Sequence, residues 1–229
     1  MRRAFKLIFS ALVLVALIVA GFAAWYVFGD RAPGKPKLTA CGALVSGGPT
    51  SPNGTWDIAP GRQVYAGYRI KELFGDAVLK HVVVGRTPAV SGHISIANGQ
   101  ITTAVVIADV TKLQSDRAAR DTYILDNGLD SSKYPTARFT LSQPIVLQAG
   151  TGKGQPLHAD ATGMLLIHGV SRPVTIPFRA CWNGPTIDVV GTSPITLSDY
   201  KIQAPHTVIA NVDNHGSLEF DLEFVPRTN

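Results

Sequence analysis

An all-β body of about eight antiparallel strands with one short helix, preceded by a transmembrane helix and a linker, is the architecture this sequence predicts. Three observations predict it. Hydrophobic residues recur at every second position over much of the chain, one segment alone carries helical spacing, and residues 7–29 hold no charge. With 229 residues, 45% hydrophobic and 16% charged, the chain is too apolar to stay disordered.

The alternation is clearest near the C-terminus, where Leu218, Phe220, Leu222 and Phe224 are separated by Glu219, Asp221 and Glu223. That is a strand with one dry and one wet face. Val174, Ile176, Phe178 and Ala180 alternate with Thr175, Pro177 and Arg179, and Phe139, Leu141, Ile145 and Leu147 share one parity of another run. Further strands are expected at 63–70, 89–97, 101–110, 158–168 and 186–196. Asn98-Gly99, between two of these, signals a type I′ hairpin. In 115–125, Ser115 can cap a helix with Asp116 in its first turn, and Asp116/Arg120 and Arg117/Asp121 fall at i,i+4. Asp126-Asn127-Gly128 then stops it. Periodicity leaves open whether such strands stack as a sandwich or close as a barrel. The runs 104–108 and 164–167 are apolar on both parities and need cover outside as well as in.

The first segment sets the compartment. A helix of about 23 uncharged residues spans a bilayer with some tilt, and it exceeds the apolar region of a cleaved signal peptide. Trp25 and Tyr26 suit the headgroup level, and Arg2, Arg3 and Lys6 hold the N-terminus in the cytoplasm. The expected domains are therefore 1–29 as signal-anchor, 30–53 as a Pro/Gly/Ser-rich stalk and 54–229 as the globular body outside the membrane. As flexible coil the stalk would reach roughly 27 Å. The string Leu38-Thr39-Ala40-Cys41 resembles a lipoprotein box, but residues 30–37 separate it from the apolar run. Cys41 and Cys181 are the two cysteines, and an oxidising compartment lets them pair.

Charge excludes one class of function. Six of the 21 basic residues and only Asp30 of the 16 acidic ones precede residue 54, so the body is neutral. A nucleic-acid reader needs a basic face. The six histidines, at 81, 93, 158, 168, 206 and 215, show no zinc spacing, and no nucleophile elbow or phosphate loop is present. No catalytic residue, metal or cofactor is expected, although a constellation assembled from distant positions stays invisible in sequence.

Four strings in order carry a resemblance. They are Trp56-Asp57; Ser115-Asp116 with Arg120-Asp121 and Ile124-Leu125; Tyr134-Pro135-Thr136-Ala137-Arg138-Phe139; and the stretch from Gly163 through His168-Gly169-Val170 to Pro173-Val174. Over about residues 54–225 this resembles the YceI-like family of bacterial polyisoprenoid-binding proteins. The family's early His-Ser is replaced here by Pro60-Gly61-Arg62-Gln63. The resemblance implies a lipocalin-like, eight-stranded antiparallel barrel that holds an isoprenoid lipid, of quinone or polyprenyl phosphate type, without catalysis. Candidate lining is then Val90, Ile94, Val105, Ile107, Phe139, Leu141, Leu165, Ile167, Val174, Ile176, Phe220 and Leu222, with Arg120, Asp121, His168 and Arg172 as candidate polar groups at a mouth. Two alternatives remain: a cell-envelope structural or interaction module with a filled core, and an enzyme acting on a lipid headgroup.

Overall fold

A computed structural model describes residues 13–18, 20–21, 32–38, 41–42, 47–59, 64–74, 79–147, 152–205 and 210–228. Its strands are β1 (Gly54–Ile58), β2 (Tyr65–Phe74), β3 (Leu79–Thr87), β4 (Val90–Ala97), β5 (Gln100–Asp109), β6 (Thr136–Leu141), β7 (Ile145–Val146), β8 (Pro156–Ile167), β9 (Val170–Trp182), β10 (Ile187–Thr196) and β11 (Ala210–Pro226). All pairings are antiparallel, and the ring β1-β4-β5-β6-β8-β9-β10-β11 closes because β1 pairs with both β4 and β11. This is the eight-stranded barrel. The 17-residue β11 serves two neighbours along one edge, β2 over Ala210–Asp221 and β1 over Phe224–Pro226, and β3 extends the wall beyond β2. Closure leaves the eight ring strands without an open end, and β3 is the edge strand of the sheet.

Two-residue turns shape the hairpins. Asn98 (φ 51) and Gly99 (φ 70) join β4 to β5 with both residues left-handed, as a type I′ turn demands. His168 (φ 50) and Gly169 (φ 71) do the same between β8 and β9. The helix begins later than expected, at Ala118, and runs to Tyr123 before a wider π-type turn over Ile124–Gly128. Ser115 does not cap it. Asp121 instead accepts from the Ser115 backbone N–H and hydroxyl, Arg117 pairs with Asp116, and the Asp116/Arg120 pairing forms as spaced.

Strand β3 lies outside the expected set, because Val82-Val83-Val84 is apolar on both parities and shows no alternation. The expected parity of β5 is reversed. Ser95 pairs Thr103 while Ile96 pairs Ile101, so Thr102 is an extra residue in β5. Such a bulge turns every side chain beyond it to the other face.

Most of the apolar run 7–29, with Trp25 and Tyr26, lies outside the described residues, as does Pro60-Gly61-Arg62-Gln63. Val13 to Ile18 are helical, and among the described residues no helix is long and apolar enough to cross a membrane. The described parts of the stalk are not free coil. Cys41 is disulfide-bonded to Cys181, with Cα atoms 5.5 Å apart across a sequence separation of 140, which also rules out a lipid thioether on that sulfur. Cross-linking so long a loop restricts the unfolded chain. Reduction is therefore expected to lower stability by about 2–4 kcal/mol, read as a fall in melting temperature when thiol reductant is added.

Candidate functional site

Inward residues form two apolar clusters, one around Trp56, Phe178, Leu222 and Phe224, the other around Leu165, Ile167, Ile195 and Ile202. Both contribute to the wall of a cavity of about 530 Å³. It extends from Ile124, Leu129 and Ile202 beside the helix, past Ala66, Ala104 and Ala161, to Leu147, Trp182 and Ile187 near the Asn98-Gly99 end. That volume lies within the usual span for small-molecule sites. The interior is hollow.

The hollow has two sources in the sequence. Alanines at 66, 104, 108, 137, 161 and 180 occupy inward positions where a larger side chain would reach the axis. Three aromatic rings also lie against the wall over glycines of neighbouring strands. A β-carbon on Gly85 would sit 2.3 Å from the Tyr68 ring, one on Gly191 2.2 Å from Phe220, and one on Gly163 2.6 Å from Phe139. Without those glycines each ring would be forced toward the lumen.

Polar groups gather where the helix crosses the barrel end. Arg120 reaches Glu72 on β2 at 3.2 Å and also holds Asp116, while Arg117 lies 3.4 Å from Asp116. Glu72, Arg117, Arg120 and Tyr68 all line the cavity. Burial, reinforced by the nearby Asp121, Asp116 and Glu72 carboxylates, pushes the Tyr68 hydroxyl well above the ordinary phenol range. It therefore stays protonated and can donate a hydrogen bond. The carboxylates of Glu72, Asp116 and Asp121 lie beside Arg120 around the Tyr68 hydroxyl. Among the described residues no group of His, Cys, Asp or Glu could hold a metal ion.

Of the twelve residues expected to line the interior, Ile94, Phe139, Leu165, Ile167, Ile176, Phe220 and Leu222 face the cavity. Val90, Val105, Ile107, Leu141 and Val174 do not. On β5 the bulge at Thr102 presents Ala104, Val106 and Ala108 inward in place of Val105 and Ile107. Val90 and Leu141 pack within the first cluster and Val174 against the second. Of the four expected mouth residues, only Arg120 lines the cavity. Asp121 is turned to Ser115, and Arg172 lies outside beside Asp199 at 3.5 Å. His168 is a structural hydrogen-bonder: its Nδ1 lies 3.0 Å from the Tyr200 carbonyl, and its ring meets Tyr134 edge-on at 4.9 Å. Sequence reasoning missed Glu72 and Tyr68. The signal for them is the shared parity of Ala66, Tyr68, Ile70 and Glu72, but the expected strand ends at Ile70.

A family model described as the YceI-like domain matches residues 63–224. The chain belongs to the YceI-like family. A UPF0312 protein of Vibrio parahaemolyticus is 33% identical over 129 residues, which cover 52% of this chain and 65% of that protein. The chain thus spans just under two thirds of the length of its Vibrio relatives. A UPF0312 protein of Pseudomonas putida is 29% identical over 185 residues, 72% of this chain and 92% of the relative. Among solved structures, the YceI-like barrel is similar to a polyisoprenoid-binding domain from Saccharophagus degradans implicated in plant cell wall breakdown. The TM-score there is 0.60 at 18% identity, covering 76% of this chain and 99% of that one. BcnA of Burkholderia cenocepacia follows with a TM-score of 0.52 at 20% identity, covering 68% and 95%. At such identities the structural likeness speaks for the barrel fold.

Proposed function

We propose that this YceI-like barrel holds one isoprenoid lipid with an uncharged headgroup, on the outer side of a membrane to which the N-terminal apolar run tethers it. The observation that carries the reading is the apolar cavity of about 530 Å³ running through the barrel. The polyisoprenoid-binding relative of the same fold supports the ligand class, and the disulfide suits an oxidising compartment. A filled-core scaffold would have no such space.

The pairing of Arg120 with two carboxylates supports an uncharged headgroup. A phosphate gains its binding energy from cations free to pair with it. Here Arg120 is already engaged by Glu72 and Asp116, whereas the Tyr68 hydroxyl and the guanidinium edges can donate to a carbonyl or hydroxyl. A quinone or free polyprenol fits better than a polyprenyl phosphate.

Burial of each methylene is worth about 0.8 kcal/mol relative to water, but the competing solvent is the bilayer, which takes the same chain equally well. Net preference then rests on fit and headgroup, and exchange with the membrane runs near balance. The test is mass spectrometry of solvent extracts from the purified protein, followed by uptake from liposomes containing a quinone, a polyprenol or a polyprenyl phosphate. A neutral isoprenoid is expected in the extract and in the uptake. An empty barrel that takes up none of the three overturns the reading, and preference for the phosphate overturns the headgroup assignment.

A further inference from the structure

Residues 32–53 precede the region matched by the family model, and their described parts are tied to the barrel at several points, from Pro52 at the cavity wall to Pro33 over β2. The Pro52 carbonyl accepts from Trp56 Nε1 at 2.8 Å. Gly48 is pressed so closely on Gly184 that a β-carbon would come within 2.5 Å of that backbone. Cys41 is bonded to Cys181 on β9. Pro36 is buried in an outer groove edged by Pro177 of β9 and Val190 of β10. Finally, the Pro33 and Gly34 carbonyls accept from Arg69 Nη2 at 2.6 Å and Arg86 Nη2 at 2.7 Å. These anchor points lead from β9 over β10 and β11 to β2 and β3.

The last clasp is rigid. Arg69 Nε and Arg86 Nε each also donate to Glu219, at 2.9 and 2.8 Å, and the Glu219 side chain is 0% exposed. Neither guanidinium can swing away without leaving a buried carboxylate short of counter-charge. The strap carbonyls are thus held by donors that are themselves fixed.

Chain length turns this into geometry. The apolar run ends at Gly29, and Pro33 is already docked. Four residues, whatever their conformation, reach at most about 14 Å. A free coil of all 24 stalk residues would instead let the barrel wander with a root-mean-square reach of roughly 27 Å. We infer that residues 32–38 and Cys41 form a fixed strap that holds the β11-β2-β3 wall of the barrel at the surface of the bilayer, with the Arg69 and Arg86 clasp on Pro33 and Gly34 setting the length of the tether. This rests on the proposed role of the apolar run as a membrane tether. Its consequence is direct: the barrel meets membrane lipid at a high local concentration without diffusing to it.

The experiment uses the full chain in phosphatidylethanolamine/phosphatidylglycerol vesicles, with a short-range fluorophore on Lys71→Cys, an exposed site on β2, and spin-labelled headgroups as quencher. Strong quenching is expected. A 20-residue Gly/Ser insertion between Gly29 and Asp30 leaves the barrel and strap untouched and should reduce quenching at least about twofold. Equal quenching with and without the insertion, or recovery of the chain in the vesicle-free fraction, overturns the inference. Lipid extracted from the same samples separates the two readings: an empty barrel held close to the bilayer sinks the ligand and spares the strap, and a loaded barrel far from it does the reverse.

Discussion

Ala161→Trp is expected to abolish loading of isoprenoid lipid while leaving the barrel folded. Ala161 lies on β8 at mid-height and lines the cavity. A tryptophan side chain brings an apolar surface of about 150–250 Å², enough to block a slender channel of about 530 Å³ for any chain that must run past it. The usual penalty for enlarging a core residue comes from displacing packed neighbours, and here the ring enters vacant space. Melting temperature should stay level or rise, and extracted lipid should fall by about tenfold or more, the order expected when well over 1 kcal/mol of fit is lost. Ala104→Trp on β5 blocks the lumen at another point and should do the same. Thr103→Trp, one residue away and exposed, should not. A folded Ala161→Trp protein with its full lipid content would place the ligand elsewhere.

Glu219→Gln is expected to destabilise the barrel by about 3–5 kcal/mol in chemical denaturation, more than loss of the disulfide does. The substitution keeps size and shape but removes the negative charge from between Arg69 and Arg86, whose side chains are 14% and 24% exposed. Two cations then share one partly buried site without the carboxylate that bridged them. Replacing the whole triad with apolar residues should recover part of the loss, since desolvating a buried ion cluster is itself costly. That variant would still lack the strap clasp, which separates the stability role of the cluster from its docking role. A loss below about 1 kcal/mol for Glu219→Gln would mean that the site is as well solvated as an ordinary surface pair.

The two substitutions sit on opposite faces of one wall, and the residues behind them were unequally legible. Alternation in 218–224 revealed which face of β11 is dry, and Phe220, Leu222 and Phe224 do point inward. The same alternation assigned Glu219 to water. It is instead among the most buried side chains of the molecule, held by Arg69 and Arg86, which in turn clasp the Pro33 and Gly34 carbonyls. A Pro- and Gly-rich stretch carries no periodicity, so nothing local distinguishes a docked strap from free coil. The Tyr68/Glu72/Arg120 cluster shows the same limit: Arg120 could be named from its helix, but its partner lies 48 residues earlier on β2.

What the amino-acid order determined by itself is what short-range forces decide: most of the strand segments, the left-handed turn at Asn98-Gly99, the short helix near Arg120, a neutral body behind a basic, apolar N-terminus, and the motif order that marks a YceI-like chain. Tertiary structure alone decided the rest. One extra residue opposite Ser95 reversed the face of β5, and alanines and glycine-backed rings on separate strands left the axis empty. The physical reason is that a period of two reports only that a face avoids water. Whether that face meets another side chain, a lipid or a covering strap depends on the size and register of residues far away along the chain.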